Sequence, residues 1–207
     1  MLAVIVPAHN EEENIGRVIK SLIKQNFDAG DIFISNNLST DNTLSIARNH
    51  DCHIINVKKL GYTEAVIAGL KEAKSIGYDY FLIIDGDGEI DPELASEARE
   101  ALNNFDLIFG YRSFVKRFGE KMINNFFYRK YKINDYLCGF KAGKLSIINK
   151  NPALDYGLDI FNLVSNKNIK IQNIKINLIP RHGTRLGNNL IVNLKLLKSL
   201  FFLVLRS

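Results

Sequence analysis

Three carboxylates, Asp85, Asp87 and Glu89, stand at alternate positions directly after the apolar run Tyr80–Ile84. Two carboxylates separated by one glycine can share a divalent cation while the backbone at Gly86 passes close to a diphosphate, and all-oxygen ligation suits Mg2+ or Mn2+. Such an ion offsets the negative charge that builds on a departing diphosphate. Glu89 is near enough to join directly or through water. A lone Asp-x-Asp has a second reading, a solvated turn that caps the following helix, and its spacing alone does not separate the two. Two further polar segments bear on the choice. Pro7–Glu13 and Asn36–Asp41 each follow a short apolar run, as the acidic segment does.

Those runs imply the scaffold. Leu2–Val6 reads as a buried strand, and Asn10 with Glu13 three positions later makes a capping box. The helix it would start places Ile15, Val18, Ile19, Leu22 and Ile23 on one face. Strands are expected at Ile32–Ile34, His53–Val57, Tyr80–Ile84 and Leu107–Phe109. Helices are expected at Ser39–His50, at Tyr62–Ser75 and after Asp91, with Pro92 at the first helical position. Strand and helix alternating at these distances mean βαβ units and a mainly parallel sheet. Ligands of such sheets bind at the carboxyl ends of the strands, where all three polar segments fall, so a nucleotide site is expected there. The second half is less regular. It offers helices over Lys121–Lys132 and Tyr156–Asn166 and a strand over Ile169–Leu178, with a bulge or turn near Gln172 and Asn173 where the alternation changes phase. A last helix is expected at Asn189–Leu205.

The 207-residue chain is 46% hydrophobic and 24% charged, which supports a core and excludes disordered and collagen-like classes. Its net charge of +5 is unevenly spread: Met1–Tyr111 has 9 basic against 18 acidic residues, and Arg112–Ser207 has 18 against 4. That asymmetry suits a C-terminal half that meets something anionic. Leu2–Val6 has no basic leader and Pro7 ends it, so it does not read as a secretory signal. No uncharged apolar stretch reaches about 18 residues, so no membrane span is expected. Cys52 and Cys138 are too few for a disulfide framework, and free thiols suit a reducing cytoplasm. No nucleic-acid module is recognisable.

Taken in order, the motifs resemble those of the family 2 glycosyltransferases of the GT-A fold. They are Pro7-Ala8-His9-Asn10-Glu11, Ser39-Thr40-Asp41-Asn42-Thr43 and Asp85-Gly86-Asp87. The likeness runs on into the dolichyl-phosphate mannose synthase-like branch. Gly61-Tyr62 with Ala65 is similar to its glycine-rich segment, and Gly110-Tyr111-Arg112 to its Gly-Ser-Arg element. Asp135 followed by Cys138-Gly139-Phe140-Lys141, and Arg181-His182-Gly183-Thr184-Arg185-Leu186, resemble its two later elements. The resemblance implies a GT-A α/β domain over residues 1–186 and an amphipathic, membrane-interfacial helix over 187–207. It also implies a metal-dependent, inverting transfer of a sugar from a nucleotide sugar to a polyprenyl phosphate at the cytoplasmic face of a membrane. Pro7, Asn10, Glu11, Asn36, Asp41, Gly61 and Asp85 would border the donor nucleotide, and Asp85, Asp87 and Glu89 would hold Mg2+ or Mn2+. Arg112 would grip the acceptor phosphate, with Arg129, Arg181 and Arg185 as further basic contacts.

Two departures qualify that picture. Asn36-Asn37-Leu38-Ser39 stands where the family usually has Asp-Asp-Gly-Ser. An asparagine accepts through its oxygen or donates through its amide, so the base preference is expected to differ, with Asn36 as its reader. The segment Arg112–Asp135 is short, yet its Met122, Phe126, Phe127, Tyr128 and Tyr131 interleave with Lys121, Arg129, Lys130 and Lys132. That mixture suits an anionic bilayer surface, and equally a helix packed on the core. A phosphate acceptor needs no strong base. A hydroxyl acceptor would need one, with Asp135 or Asp159 the choice. A nucleotidyltransferase would want a basic, glycine-rich loop after the first strand, where this chain is acidic and glycine-free. A non-catalytic nucleotide-binding protein leaves the Asp85 motif unexplained.

Overall fold

A computed structural model describes residues 1–115, 117–149, 157–161, 163, 168–179 and 189–206. Seven strands form one sheet: β1 (Leu2–Ala8), β2 (Ile32–Asn36), β3 (His53–Asn56), β4 (Tyr80–Ile83), β5 (Leu107–Arg112), β6 (Lys141–Lys144) and β7 (Ile171–Ile176). Six helices accompany them: α1 (Ile15–Lys24), α2 (Thr43–Arg48), α3 (Tyr62–Ser75), α4 (Leu94–Ala101), α5 (Phe118–Tyr131) and α6 (Asn189–Arg206). The strand order is β3-β2-β1-β4-β6-β5-β7, and β6 alone among these runs antiparallel to its neighbours. The carboxyl ends of the six parallel strands therefore share one edge. The order reverses between β1 and β4, which opens a crevice between the loops that follow them.

Both faces of the sheet are covered, and this explains why its strands read as continuous apolar runs. Val4, Val6, Ile32, Ile34 and Leu82 face a layer with Ile15, Val18, Ile19 and Leu22 of α1 and Ala95 and Ala98 of α4. Ala3, Ile5, Phe33, Phe81 and Ile83 face the other, with Val66 and Leu70 of α3, Ile123 and Phe127 of α5 and Leu196 and Leu203 of α6. Helix α3 comes so close to β1 that a Cβ on Gly69 would lie 2.4 Å from Ile5 Cγ2.

Three local expectations are corrected. Asn10 does not cap α1: it adopts the left-handed region at φ 55°, and its Oδ1 accepts the Thr40 amide at 2.8 Å, so the helix begins at Ile15 after a turn. Strand β7 has no bulge, because its pairs with β5 run without interruption from Leu107–Ile171 to Arg112–Ile176. The change of phase has another cause. Ile171 packs into one layer whereas Ile174 and Ile176 pack into the other. Where a helix is expected over Tyr156–Asn166, the described residues hold a 3-10 residue at Gly157 and a turn at 158–159, and Phe161 bridges to Ile148. Helix α6 presents two sides. One side docks on α5, where Asn193 Oδ1 accepts the Gly119 amide at 2.9 Å and Leu196 is 1% exposed. Full burial of such a leucine stabilises by about 1.5–3 kcal/mol. Its opposite side leaves Leu194, Phe201, Phe202, Val204 and Leu205 exposed. No described helix is long and apolar enough to cross a membrane.

Candidate active site

The loops at the carboxyl edge enclose a cleft of about 930 Å3. Its walls follow the strand order. Asn37, Leu60 and Gly61 come from the β2 and β3 side, and Pro7–Asn14 from the end of β1. Asp85, Asp87 and Glu89 follow β4, and Arg112 and Arg117 come from the β5 side. Leu137, Cys138 and Gly139, just before β6, close the floor beside Asp85.

The first loop is fastened to the second by side-chain bonds. Ser39 Oγ accepts the Asn10 amide, Thr43 Oγ1 the Glu11 amide at 2.7 Å, and Asp41 Oδ2 the Glu12 amide. Asp41 Oδ1 also accepts from the Thr43 amide and hydroxyl. Burial works against the Asp41 carboxylate, but these bonds outweigh it and hold its pKa below the usual value. Leu38 sits in the left-handed region at φ 59° and is half exposed. A γ-branched side chain there costs about 1–2 kcal/mol, a strain the loop bonds must offset.

The acidic segment is held from both sides. Arg17 donates to the Gly88 carbonyl at 3.0 Å, and Asp87 Oδ1 accepts the Glu89 amide. Asp85 Oδ1 is buried without a hydrogen-bond partner among the described residues. Burial and then the charge of Asp87 push its carboxyl up to about 6, with Tyr62, Lys141 and Arg112 pulling the other way. An orphaned carboxylate oxygen beside a second carboxylate fits a divalent cation, which would relieve both costs. Among the described residues no three His, Cys, Asp or Glu side chains cluster as a metal cage. Asp85, Asp87 and Glu89 thus do not converge as a three-residue set, and the ion's remaining ligands would come from a diphosphate or water.

Residues 3–156 match the family described as glycosyl transferase family 2. The chain belongs to this family. It is a glycosyltransferase of GT-A architecture. Protein MJ0544 of Methanocaldococcus jannaschii is 32% identical over 170 residues, covering 71% of this chain and 73% of that protein. Protein RfbJ of Shigella flexneri is 30% identical over 113 residues, 54% of this chain and 84% of its own length. Glucosyl-3-phosphoglycerate synthase of Mycobacterium tuberculosis, solved with Mn2+, UDP and phosphoglyceric acid, has the same fold at a TM-score of 0.74 and 17% identity, covering 97% of this chain and 77% of that one.

In this glycosyltransferase the residues expected at the donor mostly come together: Pro7, Asn10, Glu11, Asp41, Gly61 and Asp85 all line the cleft, with Asp87, Glu89 and Arg112. Asn36 does not line it. Its Oδ1 accepts the Ser39 amide and its Nδ2 donates to Asn56 Oδ1, so it braces the loop. Asp135 lies beneath the cleft, 1% exposed, gripped by Arg112 Nε at 2.7 Å and by the second guanidinium nitrogen at 3.1 Å. A carboxylate so enclosed is badly placed to take a proton from an acceptor. Arg129 is exposed on α5 and is not a lining residue. Arg181 and Arg185 lie outside the described residues.

Among the lining residues given no role from the sequence are Asn37, Arg117 and Gly139. Asn37, next to Asn36, is the amide that reaches the cleft, which the period-two alternation at the end of β2 was able to indicate. Arg117 pairs with Glu120 at 2.8 Å, and Glu120 also meets Arg112 at 3.5 Å, so two cations share one buried carboxylate. Gly139 lies against Asp85 with no room for a side chain. Only the fold joins Arg117 to the site, whereas Gly139 lies in the Cys138-Gly139-Phe140-Lys141 element.

Proposed function

We propose that this glycosyltransferase moves a sugar from a nucleotide sugar to a polyprenyl phosphate, with inversion, at the cytoplasmic face of an anionic membrane. The observation that carries the donor half is the order of charge along the cleft. The loops after β1 and β2, with Asn10, Glu11–Glu13, Asn37 and Asp41, adjoin the Asp85 segment beside Leu60, and beyond it stand Arg112 and Arg117. A nucleoside fits the first part, a diphosphate with Mg2+ or Mn2+ the second, and an anionic acceptor the third. The ion would supply charge neutralisation at the leaving diphosphate. Asp85 and Asp87 would hold it, Arg17 would keep their loop in place through Gly88, and the arginines would orient the acceptor for in-line attack.

For the lipid half, the support lies at the rim. Phe114 and Phe118, either side of Arg117, are 68% and 64% exposed, and Met122 continues the Phe118 face one turn on. Lys121, Arg129, Lys130 and Lys132 surround that face, and α6 adds exposed Phe201, Phe202 and Leu205. Aromatic and basic residues mixed in this way suit the headgroup region of a bilayer. On this reading residues 1–186 carry the chemistry, and residues 187–207 brace α5 and touch lipid.

Thermal-shift measurements with UDP, GDP, CDP and ADP, each with and without Mn2+, test the donor site. Stabilisation that requires metal and vanishes in Asp87→Ala is expected, and no shift with any nucleotide would remove the reading. Vesicles of phosphatidylglycerol test the lipid half. The protein should co-sediment with them at low salt and be released as Phe118 and Phe201 are both changed to serine. Protein that stays in the supernatant throughout would refute a membrane acceptor and favour transfer to a soluble hydroxyl.

A further inference from the structure

We infer that Glu120 is a built-in competitor for the two cleft arginines, a carboxylate that limits how tightly the site holds a phosphate acceptor and so lets the phosphate-bearing product leave. The inference rests on the reading of the acceptor as a lipid phosphate and deepens it. Glu120 is 7% exposed and divides its oxygens between two cations: Oε1 lies 2.8 Å from Arg117 Nη1, and Oε2 lies 3.5 Å from Arg112 Nη2. Both arginines line the cleft, whereas Glu120 is not a lining residue. An anion entering from the cleft thus meets guanidinium groups that a carboxylate already engages.

The two contacts are unequal. Asp135 orients Arg112, accepting from its Nε at 2.7 Å and its Nη2 at 3.1 Å. Glu120, at 3.5 Å, is beyond good hydrogen-bond distance from that arginine and acts on it through charge alone. Arg117 is held differently. It stands at the N-cap of α5 with an extended backbone, its side chain is 28% exposed, and its Nη1 donates to Glu120 Oε1. The carboxylate belongs to the first turn of α5, which α6 braces: the Gly119 amide donates to Asn193 Oδ1 at 2.9 Å. A Cβ on Gly119 would lie 3.0 Å from that oxygen and 3.2 Å from Leu196 Cβ, so the close approach of α6 depends on glycine there. On arrival of an anion, Arg117 is therefore the group that turns and Glu120 the one that stays.

Charge gives the sign of the effect. Arg112 and Arg117 supply two positive charges, and Asp135 and Glu120 two negative ones, so the empty cluster is formally neutral. A phosphate monoester, with a charge of about −1.5 to −2 at neutral pH, reaches Arg117 only by loosening its pair with Glu120. It also meets the repulsion of that buried carboxylate, which water screens poorly. The need for release outlasts the reaction. The acceptor oxygen bonds to the anomeric carbon as the bond from that carbon to the diphosphate breaks, and the electron pair leaves with the nucleoside diphosphate. The product is a phosphodiester, still anionic and still beside both arginines. An uncompensated pair of arginines would hold acceptor and product alike, and such uniform binding does not speed the chemical step. Glu120 keeps the hold weak.

Glu120→Gln, which retains the shape and removes the charge, tests this with farnesyl phosphate as the acceptor probe and its methyl diester in place of the product. Calorimetric titration is done with Mn2+ and the nucleoside diphosphate selected by thermal shift. Both probes should bind Glu120→Gln at least fivefold more tightly than the unaltered protein, while the affinities for farnesol and for the nucleoside diphosphate change less than twofold. Adding Arg117→Ala should cut the gain to twofold or less, because the competitor acts through that arginine. Weaker binding by Glu120→Gln would overturn the inference and make Glu120 a clamp that positions Arg117. Unchanged binding of either probe, an equal gain for farnesol, or a gain undiminished by Arg117→Ala would also overturn it, with the lipid-phosphate reading left standing. If neither protein binds farnesyl phosphate while both bind the nucleoside diphosphate, the lipid-phosphate reading falls and the inference with it. Melting curves show whether Glu120→Gln folds, and Glu120→Ala, with the same expected sign, carries the test if it does not.

Discussion

Asp135→Ala is expected to lower the unfolding free energy by about 3–5 kcal/mol, the usual cost of stripping one partner from a buried ion pair. Asp135 is 1% exposed and accepts from Arg112 through both oxygens and from Asn124 Nδ2 at 3.0 Å. Asn124 in turn accepts the Tyr136 amide at 3.1 Å, so the carboxylate ties β5, α5 and the segment before β6 together. Burial disfavours the Arg112 guanidinium, but its bonds and charge pairing with Asp135 more than compensate and raise its pKa further above the ordinary value. Removing the carboxylate leaves that partly buried cation with Glu120, at 3.5 Å, as its remaining ion pair among the described residues. Arg112→Met with Asp135→Leu, which removes both charges, should fold with a stability much closer to the original, yet lose acceptor binding. Urea unfolding reads the stability of each, and transfer assays read the chemistry. A stable Asp135→Asn with unaltered nucleotide binding but transfer reduced a thousandfold or more would reverse this assignment and make Asp135 the base for a hydroxyl acceptor.

The two halves of the chain differed in how legible they were, and the reason is physical. In β1, β2 and β4 every side chain is covered on one face or the other, so each appears as an apolar run ending at a polar loop, and the loops that form the cleft could be placed from the runs alone. Strand β6 carries no such mark. Lys-Ala-Gly-Lys has two small residues between two lysines, and it belongs in the sheet only because β4 and β5 flank it. Asn10 and Asn36 were misread for one shared reason. Each has the right side chain for its expected role, as a helix cap and as a base reader, but Asn10 spends it on Thr40, brought near by the β1–β2 pairing, and Asn36 spends it on Ser39 and on Asn56, its partner across β2–β3. Local spacing identifies what a polar residue is able to bind. Which partner it meets depends on strand order.

Gly139→Ala puts that dependence to a test with a large expected effect. A Cβ at this position would lie 1.8 Å from Asp85 Oδ2 and 2.3 Å from its Cγ, far inside contact distance. The carboxylate has no easy retreat, because its Oδ1 is already enclosed and Asp87 repels it from the other side. Overpacking of this kind costs about 1–3 kcal/mol, so the variant should still fold. Its Mn2+-dependent stabilisation by a nucleoside diphosphate should disappear, since Asp85 must leave the position from which it faces the cleft. Gly30→Ala, where an added methyl meets nothing within 4 Å, is the matched control and should bind as the original does. Metal-dependent binding within twofold of the original in Gly139→Ala would mean that Asp85 contributes nothing to the cation, and would move the ligand role to Asp87 and Glu89. The expected loss would instead show that the antiparallel β6 has a function at the site. It brings a residue without a side chain against the first carboxylate of the pair and thereby fixes where the charge sits.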